Sequence, residues 1–137
     1  MISLIYGAKG SGKTKEILRR ANEALEVSKG NIVYVTDTPA YSSSIPAAIR
    51  YVNAAEYLPE NGRISEEALL GFVKGIIASN SDVTEIFVDG IARMLGESAD
   101  ELEEFFVRLD ALSDASGADF CVSLTCDKLP AALKKYI

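Results

Sequence analysis

The chain has 137 residues, 48% of them hydrophobic and 25% charged, which is the size and make-up of one folded domain and excludes a disordered or low-complexity protein. Its formal net charge of −6 argues against an extensive nucleic-acid surface, because Lys and Arg supply most non-specific affinity for phosphate backbones. No apolar run approaches the roughly 20 residues that span a bilayer, and the start lacks a signal-peptide pattern, so a cytoplasmic protein with no membrane partner is expected.

Two further absences narrow the chemistry. Without histidine the usual general base at neutral pH is missing, which leaves carboxylates, lysines, backbone dipoles and a metal ion. Cys121 and Cys126 stand five apart in an extended-looking segment, with side chains on opposite faces and no second pair for zinc. Both are expected to be buried, small apolar residues in a reducing compartment.

In chain order, residues 2–6 (ISLIY) form an apolar run that predicts a strand ending at Gly7. A helix follows, with Ile17, Leu18, Ala21, Leu25 and Val27 on its apolar side and Lys29-Gly30 as its stop. NIVYV, 31–35, is a second strand, and Pro39 and Pro46 mark the next stretch as loop. AIRYVN at 48–53 predicts a brief edge strand, and Pro59 to Arg63 a turn. Ser65 caps a helix over 66–79, weakened by Gly71 and Gly75. Residues 85–90 (EIFVDG) predict a buried strand ending in an acid. Ser98 and Glu101 form a capping box for a helix that carries Leu102, Phe105, Phe106, Leu109 and Leu112 on one face and ends near Ser116. The acids Glu97, Asp100, Glu101, Glu103 and Glu104 are a solvated face near its N-terminus. DFCVSLT, 119–125, is the last strand, and a short tail with Lys134 and Lys135 closes the chain. Continuous apolar strands alternating with helices predict an α/β fold around a parallel sheet covered on both faces.

The most specific motif is Gly7-Ala8-Lys9-Gly10-Ser11-Gly12-Lys13-Thr14, which satisfies G-x-x-x-x-G-K-[S/T] between a strand and a helix. Glycines let a backbone wrap a polyphosphate with its N–H groups turned inward, and the helix start adds free amides and a positive dipole end. The expected phosphate-binding set is Gly7, Ala8, Lys9, Gly10, Ser11, Gly12, Lys13, Thr14 and Lys15. Lys13 should reach the β- and γ-phosphates, and the Thr14 hydroxyl should ligate Mg²⁺.

Asp89, at the C-terminal end of the strand IFVD, is the second expected element and the other metal-side residue, in the manner of a Walker B aspartate. Catalysis needs a further group to orient or deprotonate water, and Gly90 stands where many ATPases place a glutamate. Asp37, with Thr38 behind it, is the candidate to join Lys13 and Asp89 in a catalytic role. An Asx turn before Pro39 is an equally good reading of Asp37. Thr125 and Asp127 are weaker candidates for sensing the γ-phosphate or the metal.

On GAKGSGKT, NIVYVTD, EIFVDGIARML and DFCVSLTCD the chain resembles a minimal RecA-like P-loop NTPase core of the ASCE type. The resemblance covers most of the chain, and GAKGSGKT is its specific part. It implies a three-layer α/β sandwich with a central parallel sheet of about five strands, in the spatial order 2–6, 119–125, 85–89, 31–35, 48–52. It implies ATP with Mg²⁺, Lys13 and Thr14 at phosphates and metal, Asp89 beside the metal, and a polar sensor near Thr125 to Asp127. The family commonly places a catalytic glutamate at the end of the second strand, where this chain has Asp37-Thr38-Pro39. ParA- and MinD-type proteins carry a signature lysine at the second loop position, which is Ala8 here, with Lys9 one later.

Three functions are compatible with these residues. The first is a protein that binds ATP or a related nucleoside triphosphate, with slow or partner-stimulated ATPase activity, working with a protein partner or as a homo-oligomer, with Arg93 as a local contributor. The second is a small kinase using the 37–64 segment, with Arg50 and Arg63, as acceptor site and lid. The third is a nucleotide-dependent switch without hydrolysis, in which a γ-phosphate orders the 36–47 loop.

Overall fold

Successive side chains of a strand point to opposite faces, so a strand without polar alternation must be covered on both. The computed structural model, which describes residues 1–137, has this arrangement. Five strands, β1 (Ile2–Gly7), β2 (Asn31–Thr36), β3 (Ile49–Asn53), β4 (Val83–Val88) and β5 (Asp119–Thr125), pair in parallel in the order β1-β5-β4-β2-β3. This is the order expected from the resemblance, with 49–53 at the edge.

The helices α1 (Lys13–Val27), α2 (Glu66–Ser79), α3 (Ile91–Leu95) and α4 (Glu103–Ser116) divide unequally between the two faces. Alternation sorts the strands: Ile32, Tyr34, Ile49, Phe87 and Cys121 meet Ile17, Ala21 and Ala24 of α1. Val33, Val35, Ile86, Val88, Phe120 and Val122 meet α2, α3 and α4 on the other face. The chain is thus an α/β domain with an all-parallel central sheet between helical layers. No helix is long and apolar enough to cross a membrane.

α2 has the expected limits, and Ser65 Oγ accepts from Ala68 N at 3.0 Å. The 59–63 turn is closed by Glu60 and Arg63, with Asn61 and Gly62 both at positive φ. At Ser98 the capping box forms, with Glu101 Oε1 accepting from Ser98 N at 3.1 Å, but it opens a 3₁₀ turn, Ala99–Glu101, and α4 starts only after Leu102. Leu102 has no exposed surface, so its burial takes precedence over a continuous helix there.

Expectations for α1 and for Cys126 are corrected, and two elements are added. α1 ends at Val27, before the Lys29-Gly30 stop, and Val27 is 79% exposed at the helix end rather than on the apolar side. Cys121 is buried, its thiol pushed up to about 11 by that burial, but Cys126 lies past β5 and is half-buried. α3 is an element that sequence periodicity did not announce, too short at five residues to show a helical repeat. The tail is a 3₁₀ segment, Ala131–Tyr136, that inserts Leu133 and Tyr136 into the larger core.

Phe106 ties these pieces together: wholly buried, it meets Phe105 edge-on at 6.0 Å and stacks on Tyr136 at 5.4 Å. Replacing it by alanine should cost about 3–5 kcal/mol in urea unfolding, and should also expose the C-terminal 3₁₀ segment to hydrogen exchange.

Candidate functional site

A parallel sheet gathers the C-terminal ends of its strands along one side, where the segments that follow are free to meet a ligand. From the end of β1 the chain turns through residues 8–12 into α1. Gly10 and Gly12 take φ of 80° and 91°, a region that any other residue enters at a cost. Gly12 occupies the N-cap of α1 and brings no capping side chain, so the helix start is left with free donors. Within the loop, Ser11 N donates to Ala8 O at 3.1 Å, and Glu16 N to Gly12 O closes the first helical turn. The amides of Ala8, Lys9, Gly10, Gly12, Lys13, Thr14 and Lys15 donate to no group of the chain.

The same segment is locally cationic. Lys9, Lys13 and Lys15 are three of only 14 basic residues in a chain of net charge −6. Lys13 Nζ folds back to donate to Ala8 O at 2.8 Å, which holds an ammonium group against the loop, whereas Lys9 and Lys15 are exposed. Gly7 sits under the turn: a Cβ there would lie 2.5 Å from Ser11 Oγ.

Asp89 follows β4 directly and is 3% exposed. A carboxylate so buried requires hydrogen bonds, and hydroxyls supply them. Ser123 Oγ donates to Oδ1 at 2.5 Å; Tyr34 Oη and Thr14 Oγ1 donate to Oδ2 at 3.0 and 3.2 Å. The main chain is fixed as well, with Asp89 N to Val35 O at 2.9 Å, Thr36 Oγ1 to Asp89 O at 3.3 Å and Gly90 N to Ser123 Oγ at 2.8 Å. Burial, reinforced by the adjacent Asp89 carboxylate, raises the Tyr34 pKa and keeps its hydroxyl a donor. Lys13, Thr14 and Asp89 are therefore brought together around the head of α1.

Asp37, just beyond β2, is committed elsewhere. Arg93 of α3 donates to it from Nε at 3.0 and 3.1 Å and from Nη2 at 2.7 Å, and this carboxylate raises the Arg93 pKa further. Thr38 contributes its carbonyl, which accepts from Tyr51 Oη. Tyr51 in turn stacks on Tyr34, ring centroids 5.9 Å apart. Thr125, the last residue of β5, and Asp127 beyond it are exposed and make no hydrogen bond with Asp89.

Sequence reasoning missed Ser123, Tyr34 and the Arg93 partnership with Asp37. Ser123 carried the one available signal, a hydroxyl in the middle of an otherwise apolar strand. Cys126, whose backbone N–H bonds Gly7 O at 3.0 Å, links the segment after β5 to the loop after β1, but burial raises its thiol pKa and makes it an unreactive neighbour.

For a metal ion the protein offers an oxygen pair rather than a cage. Thr14 Oγ1 and Asp89 Oδ2 are adjacent, and no group of three or more Cys, Asp or Glu side chains is placed to hold a metal ion. A hard cation that keeps waters and shares phosphate oxygens fits such a pair; one needing several protein carboxylates does not. The largest groove, about 920 Å³, runs instead between β3 and α2, past Tyr51, Tyr57, Phe72 and Ile76. Arg50 and Glu56 are its only charged residues, so we place the candidate site at the glycine loop, where donors and a buried acid meet.

Comparison with known proteins assigns no family: no family model matches the chain, and no curated protein matches its sequence.

Because the Ser123 hydroxyl serves both Asp89 and Gly90 N, Ser123→Ala should leave a buried donor and a buried carboxylate oxygen short of partners. A loss of about 1–3 kcal/mol is expected in urea unfolding, with little change for the exposed Thr125→Ala as the comparison.

Proposed function

We propose that the chain is a nucleoside-triphosphate-binding protein of the RecA-like P-loop type, which takes ATP with Mg²⁺ at the glycine loop. The observation that carries this reading is the set of unpaired amides from Ala8 to Lys15, lying beside the Lys13 ammonium and within one hydrogen bond, Thr14 to Asp89, of a buried acid. Backbone donors with a helix dipole behind them suit a polyphosphate, and the Thr14–Asp89 oxygen pair suits a magnesium ion that shares its phosphate and water ligands. Lys13 would exchange the Ala8 carbonyl for phosphate oxygens, a stronger charge-assisted bond.

Turnover on this reading is slow or depends on a partner. Asp37, the candidate for orienting water, has its oxygens engaged by Arg93, and no glutamate stands beside Asp89. A protein partner or a second copy that supplies an arginine finger can raise such a rate by roughly 10³–10⁵. The same engagement of Asp37 favours, as the second reading, a nucleotide-dependent switch that does not hydrolyse.

Titration calorimetry with ATP, GTP and ADP in magnesium tests the proposal. Binding of a triphosphate is expected, weakened at least about tenfold in Lys13→Ala through loss of a charge-assisted bond. Absence of heat with all three nucleotides, or unchanged affinity in the variant, rejects it. Phosphate release that disappears in Lys13→Ala identifies the hydrolase; tight binding with no release identifies the switch.

A further inference from the structure

Arg93 stands four residues past Asp89, and its guanidinium lies back across the turn that follows the buried acid. A Cβ at Gly90 would come within 2.3 Å of Nη2 and 2.7 Å of Cζ. Gly90, at φ 84°, thus allows the left-handed turn and also leaves the space that the guanidinium fills. From there Arg93 takes both oxygens of Asp37, bridging the segments that leave β4 and β2. The two partners differ in access: the arginine side chain is 56% exposed, that of Asp37 only 19%. An incoming anion can therefore approach the guanidinium from solvent while the carboxylate stays behind it.

The fork of N–H donors that fits a carboxylate also fits a phosphate. Thr14, at the head of α1, and the Arg93 guanidinium both lie against the single short segment Asp89-Gly90. Resting on the nucleotide reading above, we propose that Arg93 recognises the terminal phosphate of the bound triphosphate, exchanging the Asp37 carboxylate for γ-phosphate oxygens. A triphosphate then opens the Asp37–Arg93 pair and a diphosphate leaves it closed. Asp37 acts as a built-in competitor for the guanidinium, and its release frees the start of the loop whose Thr38 carbonyl is held by Tyr51.

Competition gives the two partners opposite signs, which a merely structural ion pair does not. Calorimetric affinities for ATP and for ADP, both with Mg²⁺, are measured in the wild type, Asp37→Asn, Arg93→Lys and Arg93→Ala. The preference for ATP over ADP should fall by about tenfold in Arg93→Ala and by less in Arg93→Lys, and should rise severalfold in Asp37→Asn. ADP affinity should stay within about twofold throughout, since ADP lacks the group being recognised. If Asp37→Asn weakens ATP binding as Arg93→Ala does, or if every variant changes ATP and ADP alike, the proposal is overturned. Should Arg93→Ala fail to fold, the opposite signs expected for Asp37→Asn and Arg93→Lys still decide it. Wild-type protein that binds ATP with no such asymmetry among the variants overturns this inference alone; wild-type protein that binds neither nucleotide overturns the parent reading with it.

Discussion

The Asp89 carboxylate lies in the interior with no cation touching it, held by hydroxyls from three separate elements. Removing a charged group from water costs several kcal/mol unless other dipoles replace the lost hydration. Here Ser123, Tyr34 and Thr14 do so, and each requirement reaches back into the fold. Tyr34 comes from β2 and Ser123 from β5, so β4 must run between those two strands for its terminal acid to meet both. Thr14 comes from α1, so the helix that follows β1 must bring its first turn over the same point. The strand order, the parallel direction and the position of the glycine loop are thus bound to a single buried group.

That dependence explains which parts of the molecule are legible in the sequence. The glycine loop, Lys13 and Thr14 form one continuous string whose meaning needs no tertiary contact, and Asp89 is marked by ending an apolar run. The strands follow from apolar continuity, and the limits of α2 from the Ser65 cap. Ser123 and Tyr34 are of another kind: both look like ordinary core positions until parallel register sets them beside an acid 34 and 55 residues away. The Asp37–Arg93 pair spans 56 residues and two strand ends, so neither residue alone announces it. Short elements escaped for a different reason. α3 completes barely more than one helical turn, and the terminal 3₁₀ segment is held by Leu133 and Tyr136 in the core rather than by a local pattern.

Two environments around the site divide its work. Tyr34, Ser123, Thr36 and Asp89 are buried and mutually bonded, so they form a rigid floor. Residues 8–12, Lys9 and Lys15 are exposed and locally cationic, which suits them to capture an anion. Thr14 belongs to both, being half-buried with its hydroxyl on Asp89 and its amide unpaired. In the proposed complex a cation drawn to the Asp89–Thr14 oxygens and an anion drawn to the amides would meet at this one residue. On that reading, the first turn of α1 would be where metal and phosphate are paired.

The same division bears on why a binding site of this kind need not be a fast catalyst. A carboxylate whose oxygens already accept three guanidinium bonds has fewer lone pairs to present to an attacking water. In the proposed exchange Asp37 would gain that capacity when Arg93 leaves it for the terminal phosphate, whose oxygens fit the same fork. Binding energy at the terminal phosphate would then be used to rearrange the segment after β2 before any chemistry occurs, as when ligand contacts drive closure of a site. Tyr51, which holds the Thr38 carbonyl while stacking on Tyr34, ties that segment to the Asp89 floor. On that reading the Tyr51–Thr38 contact would resist movement at Asp37, and its strength would help to set how far the loop responds.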